Sequence, residues 1–331
     1  MSENGRQASV VRLPLDEQRE QLMVQAAKLY FDLERNQSDI ATELGLTRWQ
    51  VGRLLTEAKE VGIVRIEITP RAARRTAFEV ELQQKFGLRD AVVVPVGQIT
   101  DPMLRMETVA QAAARYLAGI NPKQELIGVS WGRTMSAVAR FLPPNWQPDV
   151  HIVLVNGATS LRSAAARTSG VAEDFARSAG GTATLLPVPA ILGKKSTRLA
   201  LENDPMIEHV LELAGQANII CFGMGGMTHS SVLLNSGYLT ESDIDKLREA
   251  GAVGDILGRF VDIDGRIVDQ DLDERTMGLR LDALRGKSHA IGVVAGEEKW
   301  RIARAALSAG YVSVIVTDED TARHALGGDH G

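Results

Sequence analysis

The segment Gln37–Leu54, QSDIATELGLTRWQVGRL, meets several local constraints at once. Ile40, Ala41 and Leu44 form one short helical face, and Ala41 is small enough for another helix to cross it. Gly45 follows four residues later, where a tight turn favours positive φ. Thr47 suits the N-cap of the next helix, and Val51 and Leu54 supply its apolar side. This is the spacing of a helix-turn-helix, whose second helix lies in the major groove with its N-terminal residues at the base edges. The readout candidates are Thr47, Arg48, Trp49, Gln50 and Arg53. Arg suits guanine and Gln suits adenine in bidentate contacts. Ser38, Arg35 and Lys59 are candidates for phosphate contacts, which position a protein on DNA without reading sequence.

Outward from this segment, Leu22, Ala26, Leu29, Tyr30 and Leu33 define a preceding helix over Gln18–Leu33. After Gly62, the stretch Ile63-Val-Arg-Ile-Glu-Ile68 alternates like a short wing strand, and Pro70 closes the unit. Residues 1–70 are therefore predicted to form a winged-helix-like DNA-binding domain, and residues 71–89 an amphipathic connecting helix carrying Phe78, Leu82 and Phe86. From residue 90 to 331 short apolar runs alternate with longer helical ones. The predicted strands are Ala91–Val96, Glu125–Val129, His151–Val155, Ala183–Pro187, Asn218–Phe222, Ala290–Ala295 and Val312–Thr317. The predicted helices include Met103–Ala118, Arg133–Phe141, Ala166–Ala179, Pro205–Ala214, Glu241–Glu249, Glu297–Ala309 and Thr321–Leu326. Nearly all-apolar strands between helices imply an α/β domain with a mostly parallel sheet covered on both faces.

The composition fits this two-domain division. The 331 residues are 44% hydrophobic and 24% charged, a globular balance that excludes wholesale disorder. No apolar run approaches the ~18 residues of a membrane span, and Met1–Leu15 lacks the apolar core of a signal peptide, so a cytoplasmic protein with no membrane partner is expected. Cys221 is the single cysteine, which excludes an intrachain disulfide; the six scattered histidines argue against zinc, and no cofactor is expected. The net charge of −5 is unevenly spread: residues 1–75 hold 12 Lys+Arg against 11 Asp+Glu, and the remainder 25 against 31. A slightly basic module precedes an acidic domain.

In an open parallel sheet, ligands bind beyond the carboxyl ends of the strands. Ser130-Trp-Gly-Arg-Thr134 follows the second predicted strand and opens a helix, whose free N–H groups favour an anion. Gly132, Arg133 and Thr134 are candidates there. Asn156 and Gly157 begin the loop after the third strand, which continues through Arg162. Gly223-Met-Gly-Gly-Met227, containing Gly225, is expected to be another glycine turn. Lys299 follows Gly296 at a helix start, and Asp255 lies between small residues and an apolar run. Four such loops would form a polar, partly cationic cup suited to a polyhydroxy compound or its phosphate.

The helix-turn-helix, together with GVSWGRT (128–134), GAVGDILGRFVDIDG (251–265), VAGEEKWRIARAAL (294–307) and VIVTDEDTA (314–322), resembles the SorC family of bacterial sugar-responsive transcriptional regulators over about Gln18–Leu326. The resemblance implies an effector domain with a fold like sugar-phosphate isomerases and glucosamine-phosphate deaminases. It also implies homotetramers (or homodimers) that bind double-stranded operator DNA and respond to a sugar, phosphosugar or polyol. Carried over by position, the phosphate-cradling turn falls on Gly132, Arg133 and Thr134, the second loop on Asn156 and Gly157, the hydroxyl-binding acid on Asp255 and its basic partner on Lys299. Two positions depart from the family pattern: Gly52 stands where serine is common, and Trp49 where a polar residue is usual. The alternative is a sugar-phosphate isomerase or deaminase with an accessory DNA-binding domain. Such chemistry needs a positioned general base. His229 follows the glycine run, but the acid that accompanies it in the deaminases is missing, so a non-enzymatic sensor is expected.

Overall fold

The computed structural model describes residues 15–64, 74–121, 123–158, 170–228 and 232–327. The chain divides into two compact units, Met1–Arg71 and Ala72–Gly331.

In the first unit, α1 (Leu15–Ala27) runs into a π-helical turn, Lys28–Asp32, before α2 (Gln37–Leu44) and α3 (Arg48–Glu60). The π turn puts more residues into one revolution and shifts the face that follows it. Tyr30 and Leu33, expected on the buried stripe, are accordingly exposed, while Met23 and Ala26 pack inside. Asn36 caps α2 by accepting from the N–H groups of Ser38 and Asp39. Gly45 takes the left-handed conformation at φ +67°, which a β-carbon would strain. Thr47 and Gln50 then form a capping box on α3. Ile40, Ala41, Val51, Leu54, Leu55 and Ala58 close the small core. Arg19 on α1 donates to both carboxylate oxygens of Glu57 on α3, at 2.8 and 2.6 Å. Ile63 and Val64 pack against this core without strand structure; the rest of the expected wing, 65–68, lies outside the described residues.

The second unit is doubly wound. Seven parallel strands form its sheet: β1 (Asp90–Val94), β2 (Leu126–Val129), β3 (His151–Leu154), β4 (Thr182–Thr184), β5 (Ile219–Gly226), β8 (His289–Val294) and β9 (Val314–Asp318). Their order is β1-β9-β8-β5-β2-β3-β4, with the short antiparallel strands β6 (Gly254–Ile256) and β7 (Arg259–Val261) attached at the end of β5. Each sheet face carries its own apolar layer. One contains α5 (Pro102–Ala118), α6 (Arg133–Phe141) and the helix Val171–Ala179; the other contains α4 (Thr76–Phe86) and the helices Pro205–Gln216 and Trp300–Ser308. Helix α4 is integral to this unit: Leu82 is fully buried, and Glu79 accepts from Val93 N–H on β1 at 2.9 Å. Of the expected helix Ala166–Ala179, residues 166–169 lie outside the described residues.

The expected strand Asn218–Phe222 is too short. β5 continues through Gly226, so Gly223–Gly226 is strand rather than turn. The hairpin β6–β7 was not legible either. Its two-residue turn, Leu257–Gly258, has positive φ at both positions, and leucine at the first does not signal such a turn in a sequence.

The Thr317-Asp-Glu319 sequence at the end of β9 is a structural hub. Asp318, fully buried, caps the helix Glu319–Ala325 by accepting from the N–H groups of Asp320 and Thr321. It also accepts from Thr321 Oγ1 and from Gly296 N–H, tying β9 to the end of β8. Glu319 accepts from the N–H groups of Val96 and Gly97 and from the Arg75 guanidinium. Asp318→Ala removes a cap and strands buried donors, and should lower unfolding stability by about 3 kcal/mol. Urea unfolding of the effector-free protein checks this; a loss below about 1 kcal/mol would reduce the residue to an ordinary surface cap.

Candidate functional site

β2, β3 and β4 are laid down in one direction across the sheet, and β5, β8 and β9 in the other. The order reverses between β2 and β5, the switch point at which doubly wound sheets open a crevice. Ser130-Trp131-Gly132 leaves β2 at that point. Ser130 N–H donates to the Cys221 carbonyl on β5 at 3.0 Å, and Gly132, at φ +127°, caps α6 in a conformation that side chains rarely adopt. Arg133 and Thr134 are the first residues of α6, at its electropositive end. Thr134 is buried over β5, where a methyl group on residue 223 would sit 3.2 Å from its Cβ.

The glycines of β5 make room for the site. A β-carbon at Gly225 would lie 1.9 Å from Asp255 Oδ1, and one at Gly226 would lie 2.4 Å from the Glu298 carbonyl. Gly225 therefore admits Asp255, its register partner on β6, and Gly226 admits the 3-10 turn Glu297–Lys299. Asp255 Oδ2 accepts from Gly258 N–H at 3.0 Å, which stabilises the hairpin turn. Asp255 and Lys299 are sunk among protein atoms yet keep partial exposure. Burial pushes the Asp255 carboxyl up to about 6, against the opposing effects of Gly258 N–H and Lys299. Burial lowers the Lys299 ammonium from its ordinary value; Arg133 lowers it further, while Glu298 and Asp255 oppose the fall. Gly132, Arg133, Thr134, Gly225, Asp255 and Lys299 thus meet at one end of the sheet.

Asn156 lies at the end of β3, next to β2, bridged to Gly278. Its side chain is buried, and Oδ1 has no hydrogen-bond partner among the described residues. Gly157 has a packing role: a β-carbon there would lie 2.5 Å from the Pro189 carbonyl. Buried Arg259 holds the segment carrying Gly278 by donating to the carbonyls of Asp273, Thr276, Gly278 and Leu279 and to the Asp273 carboxylate at 2.5 Å. Arg259 and Trp131 were not singled out from sequence. The indole Nε1 of Trp131 is buried without a hydrogen-bond partner among the described residues, and its ring tilts against Tyr238 at 6.1 Å. Its position inside SWGRT was the available signal. Arg162 and His229 lie outside the described residues.

In the first unit, Ser38, Thr47, Arg48, Trp49, Gln50 and Arg53 are all exposed. Thr47 and Gln50 are engaged with each other: Gln50 Oε1 accepts from Thr47 N–H at 2.8 Å and from its hydroxyl at 3.0 Å, while Thr47 Oγ1 accepts from Gln50 N–H. The Arg53 guanidinium lies over the Trp49 ring, 5.6 Å from its centroid. Arg35 pairs with Glu43, and Lys59 lies over the Phe31 ring.

A small unit with helix-turn-helix geometry followed by a doubly wound domain with polar groups at its switch point is the arrangement met in sugar-binding transcriptional regulators. The chain belongs to the SorC-type family of sugar-binding transcriptional regulators: residues 71–327 match the family model of the sugar-binding domain, Sugar-bind. It is 31% identical over 309 residues to the deoxyribonucleoside regulator of Bacillus subtilis (strain 168), covering 93% of this chain and 98% of that protein. It is 26% identical to the sorbitol operon regulator of Klebsiella pneumoniae, covering 91% and 96%. The crystal structure of that full-length regulator, SorC, superposes with a TM-score of 0.68 at 27% identity, over 92% of this chain and 98% of the other.

Asp255 carries a test of functional strain. Its raised pKa means that the folded state holds the proton more tightly than the unfolded chain, so this contribution to stability is present at low pH and is lost as pH rises from about 4 to about 6. Asp255→Asn should raise stability above pH 6 by up to about 2 kcal/mol and flatten that dependence, as thermal melts and urea unfolding across about pH 4–8 would both register.

Proposed function

We propose that the protein is a DNA-binding transcriptional regulator of a carbohydrate or polyol catabolic operon, controlled by a small polyhydroxy effector. The observation that carries this reading is the set of polar groups gathered at the switch point between β2 and β5. It offers an electropositive helix start with Arg133 and Lys299 at one side, and acceptors on Asp255 and Asn156 for hydroxyl groups. A phosphorylated sugar or polyol matches that polarity: the phosphate would sit at the start of α6, and the hydroxyls would face Asp255 and Asn156. The unpartnered Asn156 Oδ1 and Trp131 Nε1 supply an acceptor and a donor that such a ligand would satisfy. The relatives named deoxyribonucleoside regulator and sorbitol operon regulator support a small polyhydroxy effector.

The domain is a sensor in this reading rather than an enzyme. Residues 1–70 are the DNA-binding module, and the larger unit binds effector and joins subunits. A single helix-turn-helix has a small contact area, and specific sites usually combine two half-sites, so a homodimer or homotetramer is proposed. Control follows from linkage. The effector moves the operator equilibrium only by its different affinity for the free and DNA-bound assemblies, and closure around the ligand would change the spacing of paired recognition helices.

Arg48→Ala should lose specific operator binding, with at least a tenfold weakening, and keep effector affinity. Lys299→Ala should keep operator binding and weaken a phosphorylated effector by tenfold or more. Gel shifts against pentoses, hexoses, polyols and their phosphates, with titration calorimetry on each variant, measure both. Full operator binding by Arg48→Ala at physiological salt would remove the recognition-helix assignment. Turnover of any phosphosugar would favour the enzyme instead.

A further inference from the structure

The geometry points to Trp49 and Arg53 as one base-reading unit, in which Arg53 bonds a guanine and Trp49 contacts the 5-methyl group of a thymine one base step away. This rests on the DNA-binding reading and adds a feature of the operator to it.

Three observations carry it. The capping box engages Thr47 and Gln50, so the Gln50 amide oxygen is committed within the helix start and is not available for adenine. Readout falls to the other exposed side chains of the first turn and a half, Arg48, Trp49 and Arg53. Trp49 is 70% exposed at the second position of α3, outside the small core of its unit. An indole there meets the groove face first, and thymine's methyl is the apolar feature of the major groove. Finally, Arg53 lies one turn on, over the Trp49 ring. The cation–π attraction keeps the guanidinium beside the indole, and its N–H fork matches the O6 and N7 acceptors of guanine. The pair thus presents an apolar edge and a donor fork side by side on one helix face, one turn apart.

The experiment uses the full chain. A random duplex pool is enriched by binding, and the consensus is then resynthesised with deoxyuridine replacing each thymine, and 7-deazaguanine replacing each guanine, in turn. The wild type should lose about fourfold at one thymine of each half-site, the effect of one buried methyl. It should lose roughly tenfold at the neighbouring guanine. Trp49→Ala should bind more weakly and become indifferent to deoxyuridine at that thymine, and Arg53→Ala should become indifferent to 7-deazaguanine at that guanine. Far-UV melts establish that the variants are folded, as expected for exposed side chains. The proposal is overturned if the wild type ignores deoxyuridine everywhere, if Trp49→Ala keeps the same methyl penalty, or if the two sensitive bases are not adjacent. A pool that yields no consensus overturns the DNA-binding reading itself.

Discussion

Three residues on β5 carry no side chain where the sheet reverses its order, and the polar groups gathered there depend on the space they leave. Thr134 lies against Gly223, Asp255 against Gly225 and the Glu298 backbone against Gly226. Adding a methyl group at 225 or 226 would drive it into a carboxylate oxygen or a carbonyl at well under contact distance. Elements distant in sequence converge only because this strand is bare. The helix start from β2, the hairpin β6–β7 and the turn before the helix Trp300–Ser308 each contribute one polar group to the same floor. A run expected to be a glycine turn thus serves as a seat for other residues' chemistry.

The polar groups at the switch point are held in an electrostatically unfavourable setting. Burial acts against the charges of both Asp255 and Lys299, and Arg133 adds like charge beside the lysine. Asn156 Oδ1 and Trp131 Nε1 are buried without partners among the described residues. Groups held this way destabilise the fold unless a ligand with complementary polarity satisfies them. The support around them is correspondingly firm. Arg259 holds the segment that covers Asn156, and Asp318 joins the ends of β8 and β9 beside the turn that bears Lys299. The TDE sequence, the most distinctive part of the C-terminal region, is explained by this anchoring. Glu319 extends the anchoring to Arg75, close to the start of the larger unit.

The recognition helix shows a similar division of labour. Thr47 and Gln50 had been candidates for base contact, and both are used in capping. Their pairing fixes where α3 begins. That in turn sets which faces Arg48, Trp49 and Arg53 present. Local helix-stop and helix-start chemistry therefore decides which residues remain for readout.

Much of the architecture was determined by local sequence. Gly45, Thr47 and the Val51–Leu54 face specify a helix-turn-helix because turn, cap and periodicity are short-range properties. The apolar strands alternating with helices specify a parallel sheet because both faces of such strands are buried. The candidates at Gly132–Thr134 were legible from the strand-to-helix change alone. The extension of β5, the β6–β7 hairpin and the roles of Gly225 and Gly157 were decided by tertiary structure. Each depends on which backbone atom approaches from a remote segment, and no local pattern encodes that distance. Arg259 was hidden for the same reason: its acceptors are carbonyls of residues 273–279, invisible until that segment folds over the end of β3.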